Sequence, residues 1–203
     1  MKIGWVMGWA VPLRWFSDEV TKAFPADEHV FLEPGDAVLA ELELKGPFDR
    51  IAGYSLGAHL LLAEAGRVDR LCTRITLLAP FLAFAAEDEL GGRVSRTQVR
   101  YLARWVRRER EKALADFYGR AGLQAEPSMA ASISMETLTT GLAHLENGRA
   151  EPPVSSGWHM YVGSGDSLLD GAALKRHLPG IRIVAGATHH PRSLLQACRE
   201  GGI

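Results

Sequence analysis

The sequence lacks most of what would let a chain be stapled together or bind by bulk charge. It has two cysteines, Cys72 and Cys198, in 203 residues. Two distant thiols make neither a disulfide framework nor a metal-ligand set, so reduced structural thiols of a cytoplasmic protein are expected. Neither sign of charge dominates: lysine plus arginine is 23, aspartate plus glutamate is 24, and the net charge is −1. That balance excludes a uniformly basic nucleic-acid binder. Long apolar runs are also missing. Ile3–Met7 is too short for a signal-peptide core or a membrane span, and Ile75–Ala86 is interrupted by Pro80. A soluble protein without membrane contact is therefore expected. No His-x-x-x-His or His-Glu-x-x-His pattern occurs, and neither metal nor other cofactor is expected. There is no internal repeat and no low-complexity tract.

What is present is ordinary globular material, 47% apolar and 23% charged, able to bury a core without staples. The length suits one domain, or a core carrying one sizeable insertion. Short β-branched or apolar runs alternate with helical patterns. Strands are expected at Lys2–Met7, His29–Glu33, Arg50–Gly53, Arg74–Ala79, His159–Gly163 and Ile181–Ala185. Helical patterns fall between them, and a last one runs over Arg192–Arg199. This is the signature of βαβ units, an α/β fold with a mainly parallel sheet of about six strands. One segment breaks the rhythm. Residues 81–156 contain no convincing strand but three helical patterns: Ser95–Arg108, opened by a Ser95/Gln98 capping box, Arg110–Gly122, and Met129–Asn147. The expected division is a core of 1–80 and 157–203 with a helical insert, 81–156, before the penultimate strand.

The sharpest local signal is Gly53-Tyr54-Ser55-Leu56-Gly57. It matches Gly-x-Ser-x-Gly between a strand and a helix, the setting a nucleophile elbow requires. A serine needs a base and an orienting acid to attack at neutral pH. Candidates follow in the order acid, then histidine, each just past the carboxyl end of a strand, where open α/β sheets gather their active groups. The acid is Asp166, with Asp170 as its rival. The base is His189, with the adjacent His190 left open because spacing cannot separate the pair. An acyl-transfer oxyanion also needs backbone donors. The Leu56 N–H after the nucleophile is one, and the Trp9 N–H in the loop after the first strand, beside Gly8, is the other. His59 lies one turn into the helix after Ser55, where a packing role is expected.

Gly8-Trp9, Gly53-Tyr54-Ser55-Leu56-Gly57, Gly165-Asp166 and Ala187-Thr188-His189-His190-Pro191 together resemble the α/β-hydrolases. Among these they are similar to the carboxylesterases of biotin synthesis that demethylate pimeloyl-[acyl-carrier protein] methyl ester. The likeness runs in order from the first strand to the last helix. It departs at Met7, where many relatives have histidine, and at Tyr54, where a relative often has tryptophan. The sequence also begins directly at the strand before the Trp9 loop, where relatives place two antiparallel strands first. The resemblance implies a serine esterase with Ser55 as nucleophile, Asp166 as acid, His189 as base and Trp9 and Leu56 as oxyanion donors. It also implies that the insert is a lid.

At about 100° per residue, Arg96, Arg100, Arg104, Arg107 and Arg108 fall on one side of the first insert helix. Val94, Tyr101, Leu102, Trp105 and Val106 fall mostly on the other. Arg93, Arg110 and Lys112 extend the cluster, and the acids nearest in sequence are Glu109 and Glu111. Charge of one sign without i,i+4 acid partners costs self-repulsion. The expectations are an acidic partner, by resemblance an acyl carrier protein, docked on Arg96, Arg100, Arg104 and Arg107, and a substrate path lined by Tyr54, Tyr101 and Trp105. A monomer is expected. The alternatives are a thioesterase or small-ester hydrolase of the same fold, or a carrier-binding protein without activity.

Overall fold

The computed structural model describes residues 1–155 and 157–201. Ser156, at the end of the expected insert, and Gly202 and Ile203 lie outside the described residues. In chain order the first elements are β1 (Lys2–Val6), α1 (Leu13–Ala23), β2 (Glu28–Leu32), α2 (Val38–Lys45) and β3 (Arg50–Tyr54). They are followed by α3 (Leu56–Ala63), α4 (Ala65–Leu71) and β4 (Ile75–Leu78). Next come β5 (Ala83–Ala85), β6 (Gly91–Val94), α5 (Arg96–Arg108), α6 (Arg110–Ala121) and α7 (Met135–Asn147). The chain then returns through β7 (Trp158–Gly163), α8 (Gly171–His177), β8 (Arg182–Val184) and α9 (Pro191–Glu200).

Six strands form one sheet in the order β2-β1-β3-β4-β7-β8, and every ladder in it is parallel. The central strands β3 and β4 are buried along their whole length, whereas the edge strands β2 and β8 are half-exposed. Continuous apolar runs such as Ile75–Leu78 suit strands covered on both faces. Adjacent residues of β1 show both covers, because side chains alternate along a strand. Trp5 meets the Phe16 ring of α1 edge-on at 5.8 Å. A side chain at Gly4 would instead strike Leu42 of α2 and Phe48 at 3.1 Å. α1 and α2 therefore lie on opposite faces. α9 packs on α1 and beneath β7, and α3 lies on the α2 face, against Gly53.

The segment between β4 and β7 carries α5, α6 and α7, with α5 packed on both of the others. Two features differ from the sequence reading. β5 and β6 form a second, two-stranded parallel ladder where no strand was expected. It depends on glycine: a Cβ at Gly92 would lie 1.7 Å from the Phe84 carbonyl oxygen, and Gly91 has φ 108°. Glycines inside so short a run read as a break rather than as a strand. The third insert helix starts at Met135, not Met129. Ser134 caps it by accepting from the Thr137 N–H at 2.9 Å, and Pro127–Ala130 is a separate 3-10 turn. The capping box of α5 forms, with the Ser95 hydroxyl accepting from the Gln98 N–H and the Gln98 side chain accepting from the Ser95 N–H. No helix among the described residues is long and apolar enough to cross a membrane. Cys72 and Cys198 are both free and buried.

Candidate active site

The sequence Gly53–Gly57 turns sharply between β3 and α3, and packing dictates its glycines. A Cβ at Gly57 would sit 2.2 Å from the Val6 carbonyl oxygen, and one at Gly53 2.7 Å from the Ala58 Cα. Neither approach tolerates a side chain. Ser55, between them, has φ 54° and ψ −115°, a conformation that costs a non-glycine residue on the order of 1–3 kcal/mol. Its N–H is anchored to the Leu78 carbonyl at 2.9 Å and its carbonyl receives the His59 N–H at 3.0 Å. The strained turn aims the hydroxyl away from the helix it starts.

That hydroxyl lies 3.0 Å from His189 Nε2, and His189 Nδ1 lies 2.8 Å from Asp166 Oδ2. Asp166 follows β7, and its other oxygen accepts the N–H groups of Leu168 and Leu169 at 2.9 and 3.0 Å. Three donors thus hold the carboxylate in one rotamer. The loops after β7 and β8 are stitched to each other: the Gly165 N–H donates to the Ala187 carbonyl at 2.8 Å, and the Gly186 N–H to the Ser164 hydroxyl at 2.9 Å. A Cβ at Gly163 would meet the Ala187 carbonyl oxygen at 2.3 Å. Glycine is what lets the acid and histidine loops touch. Ser55, Asp166 and His189 are all buried, Ser55 at 7% exposure and the other two at 1%.

The two positions left open by sequence separate on geometry. Asp170 caps α8, accepting the N–H groups of Ala172 and Ala173 at 2.9 Å, and is removed from His189. His190 caps α9, with Nδ1 accepting the Arg192 N–H at 3.2 Å and its ring edge-on to Trp15 at 5.2 Å. Burial, together with the nearby Arg192 charge, holds His190 below the usual histidine range, against the pull of Glu19.

The Leu56 N–H opens α3 and so has no intrahelical acceptor. The Trp9 N–H also has no backbone acceptor among the described residues. The Trp9 side chain is tied to the insert: its indole N–H donates to the Leu138 carbonyl of α7 at 2.8 Å, and its ring meets Phe117 of α6 edge-on at 4.7 Å. Tyr118 of α6 donates its hydroxyl to the Ala10 carbonyl at 2.5 Å. A Cβ at Gly141 of α7 would fall 2.5 Å from the Trp9 ring and 3.2 Å from Leu56. Two insert helices therefore close directly onto the Gly8–Ala10 loop and Leu56. Nothing in the sequence marks Leu138, Tyr118 or Gly141 for this contact, which joins residues far apart in the chain.

The structure places five of the expected site residues differently. Tyr54 does not face a substrate path: it is wholly buried, and its hydroxyl donates to the His189 carbonyl at 2.8 Å. Tyr101 is 58% exposed and Trp105 only partly buried, their rings 5.8 Å apart. The buried face of α5 is Val99, Leu102 and Val106, because the apolar stripe is narrower than the helical period suggested. Arg96 pairs with Asp88 at 2.5 Å, and Arg100 pairs with Glu146 of α7 at 2.6 Å. Their acid partners come from other elements, which sequence neighbours could not reveal. Arg104, Arg107 and Arg108 are exposed and form no ion pair among the described residues. Arg93, exposed, donates to the Asp166 carbonyl at 3.3 Å and lies 3.9 Å from the Asp170 carboxylate.

His59 is buried, stacked on Phe81 at 4.7 Å, with Nδ1 3.1 Å from the Phe81 carbonyl. Burial lowers its pKa to about 4, so it is a neutral core histidine. No cluster of three or more His, Cys, Asp or Glu suited to a metal ion occurs among the described residues.

No protein-family model and no curated protein sequence matches the chain. Solved structures do. A thermophilic esterase from Thermogutta terrifontis superposes with a TM-score of 0.71 at 15% identity, covering 99% of this chain and 89% of that one. A hydrolase from Oleispira antarctica gives 0.70 at 10% identity, covering 98% and 86%. The bottromycin epimerase BotH gives 0.65 at 18% identity, covering 99% and 89%. At such identities the likeness is one of fold, and the fold is that of the α/β-hydrolases. Esterases and an epimerase share it, so the reaction has to be argued from the site.

Proposed function

We propose that this protein is a serine hydrolase of carboxylic esters, acting through an acyl-serine intermediate. One observation carries the reading: the unbroken relay from Ser55 Oγ to His189 Nε2 at 3.0 Å and from His189 Nδ1 to Asp166 at 2.8 Å. It starts at a serine held in a strained elbow. His189 takes the Ser55 proton as the hydroxyl oxygen attacks the ester carbonyl. Asp166 fixes the imidazole tautomer and stabilises the imidazolium that forms. The N–H groups of Trp9 and Leu56 receive the developing oxyanion, each donor typically worth roughly 10²–10³ in rate. His189 then gives the proton to the departing alcohol. Water, deprotonated by the same histidine, releases the acid and restores Ser55.

The favoured substrate is pimeloyl-[acyl-carrier protein] methyl ester, demethylated in the cytoplasm during biotin synthesis. The motif resemblance supports this, and so does the cationic outer face of α5. Docking then falls to Arg104, Arg107 and Arg108, with Arg96 and Arg100 already engaged by acids. A second reading, a small-ester hydrolase, draws support from the closed insert. The test compares the carrier-linked methyl ester with the free methyl ester, acyl thioesters and short p-nitrophenyl esters, with Ser55→Ala as control. Faster turnover of the carrier-linked ester, abolished in Ser55→Ala, is expected. Preference for the short esters would favour the second reading. Equal inactivity of both proteins on every ester would favour a binding protein.

A further inference from the structure

Tyr54 is an aromatic residue next to the candidate nucleophile, wholly buried. Its ring is stacked on Phe16 at 5.4 Å and an interplanar angle of 16°. It packs against the loop that carries Trp9, since a Cβ at Gly8 would meet the Tyr54 ring at 3.1 Å. For this packing alone phenylalanine would serve, and it would bury no hydroxyl. A buried hydroxyl is unfavourable unless it is bonded, and this one has a single partner among the described residues, the carbonyl oxygen of His189, at 2.8 Å. The bond crosses 135 residues of sequence. It ties the last residue of β3, just before Ser55, to the residue whose ring lies 5.6 Å from the Tyr54 ring.

The His189 backbone makes no backbone–backbone hydrogen bond among the described residues. Its loop is held to the β7 loop through Gly165 and Gly186, upstream of the histidine. Downstream, the His190 N–H reaches only the Thr188 hydroxyl, at 3.3 Å. We infer that Tyr54 is a positioning residue, whose hydroxyl clamps the His189 backbone so that the imidazole stands between Ser55 and Asp166. The inference rests on reading those three residues as a catalytic triad. Burial first, and the Asp166 carboxylate second, push the Tyr54 phenol well above its usual range. The hydroxyl therefore stays a donor at any pH at which the histidine can act as a base. Clamping matters because a general base must hold hydrogen-bond distance to the proton it removes, and small displacements are costly in rate.

The test is Tyr54→Phe in the full chain, which removes one oxygen and keeps the ring. Three quantities are read: steady-state hydrolysis of a p-nitrophenyl ester, the melting temperature, and the far-downfield proton resonance of the His189 Nδ1–Asp166 bond. We expect kcat to fall about tenfold with KM held within about twofold, and the downfield resonance to broaden or shift. The melting temperature should fall by only a few degrees, about what one lost hydrogen bond explains. An unchanged kcat would overturn the inference. So would a lower kcat with an unaltered downfield resonance, which would make Tyr54 a packing residue only. A wild-type protein that neither hydrolyses esters nor reacts with a fluorophosphonate at Ser55 would instead overturn the triad reading. The resonance, which needs no turnover, would then still decide whether Tyr54 positions His189.

Discussion

The carboxyl edge of the sheet and the outer face of α5 both collect polar side chains, and they do so in opposite ways. At the sheet edge Ser55, His189, Asp166 and Tyr54 are buried, and each is held by partners from distant parts of the chain. On α5, Arg104, Arg107 and Arg108 stand in solvent without an ion-pair partner among the described residues. The first arrangement spends stability on fixed geometry, which chemistry requires. The second keeps charge mobile and hydrated, which suits steering and docking and adds little to stability. Changes at the edge should therefore be large and local in effect, and changes on α5 small and dependent on the partner.

The largest effect is expected within the edge itself. His189→Ala should lower kcat on any ester by at least about 10⁴-fold, while His190→Ala, which loses only a helix cap and a Trp15 contact, should stay within about tenfold of wild type. Steady-state assays of both variants check this. Equal losses would mean that the neighbouring histidines act as a unit, and the contrast between relay and scaffold would fail there.

A pH titration tests the seam between the two regions. His59, on α3, is stacked on Phe81 at the start of the insert and is held neutral down to about pH 4, chiefly by burial. An unfolded histidine takes its proton near pH 6.5. Between these values the unfolded chain binds a proton that the folded chain refuses, so stability falls as pH drops from about 6.5 towards about 4. The loss at pH 5 should be about 2 kcal/mol relative to pH 7.5. Urea unfolding at the two pH values, in wild type and His59→Gln, would measure it. A slope of the same size in the variant would assign the acid sensitivity to other groups.

The smallest effect is expected on α5. Reversing Arg104 and Arg107 to glutamate should leave stability within about 0.5 kcal/mol and short-ester turnover within about twofold. Turnover of a carrier-linked ester should drop about tenfold, more at low salt. Equal loss on both substrates would remove the distinction between the two surfaces. Arg100→Glu would be a poorer probe, because it also breaks the pair with Glu146.

The same contrast governs how much was legible in the sequence. The six strands and their mainly parallel pairing could be anticipated, because buried β-branched runs and intervening amphipathic helices are local patterns. So could the convergence of Ser55, Asp166 and His189, since each follows a strand and the chain order is constrained. The choice between His189 and His190 could not be made, because it depends on which of two adjacent residues turns inward. Glu146 as the partner of Arg100, Leu138 as the acceptor for Trp9 and the His189 carbonyl as the acceptor for Tyr54 were equally hidden. Each pairs residues 46 to 135 positions apart, and no local period encodes such a contact. The β5–β6 ladder escaped for another reason: its glycines are required by close backbone approach, and glycine in a short run usually signals a turn.

The relay joins Ser55 to a histidine 134 residues downstream. A ribosome adding roughly 5–20 residues per second needs on the order of ten seconds to travel between them. During that interval the segments that form the elbow and then the insert have been made, but His189 has not. On the proposed mechanism Ser55 therefore has no base throughout synthesis of the insert, and the relay can form only after the residues that follow β8 have been made.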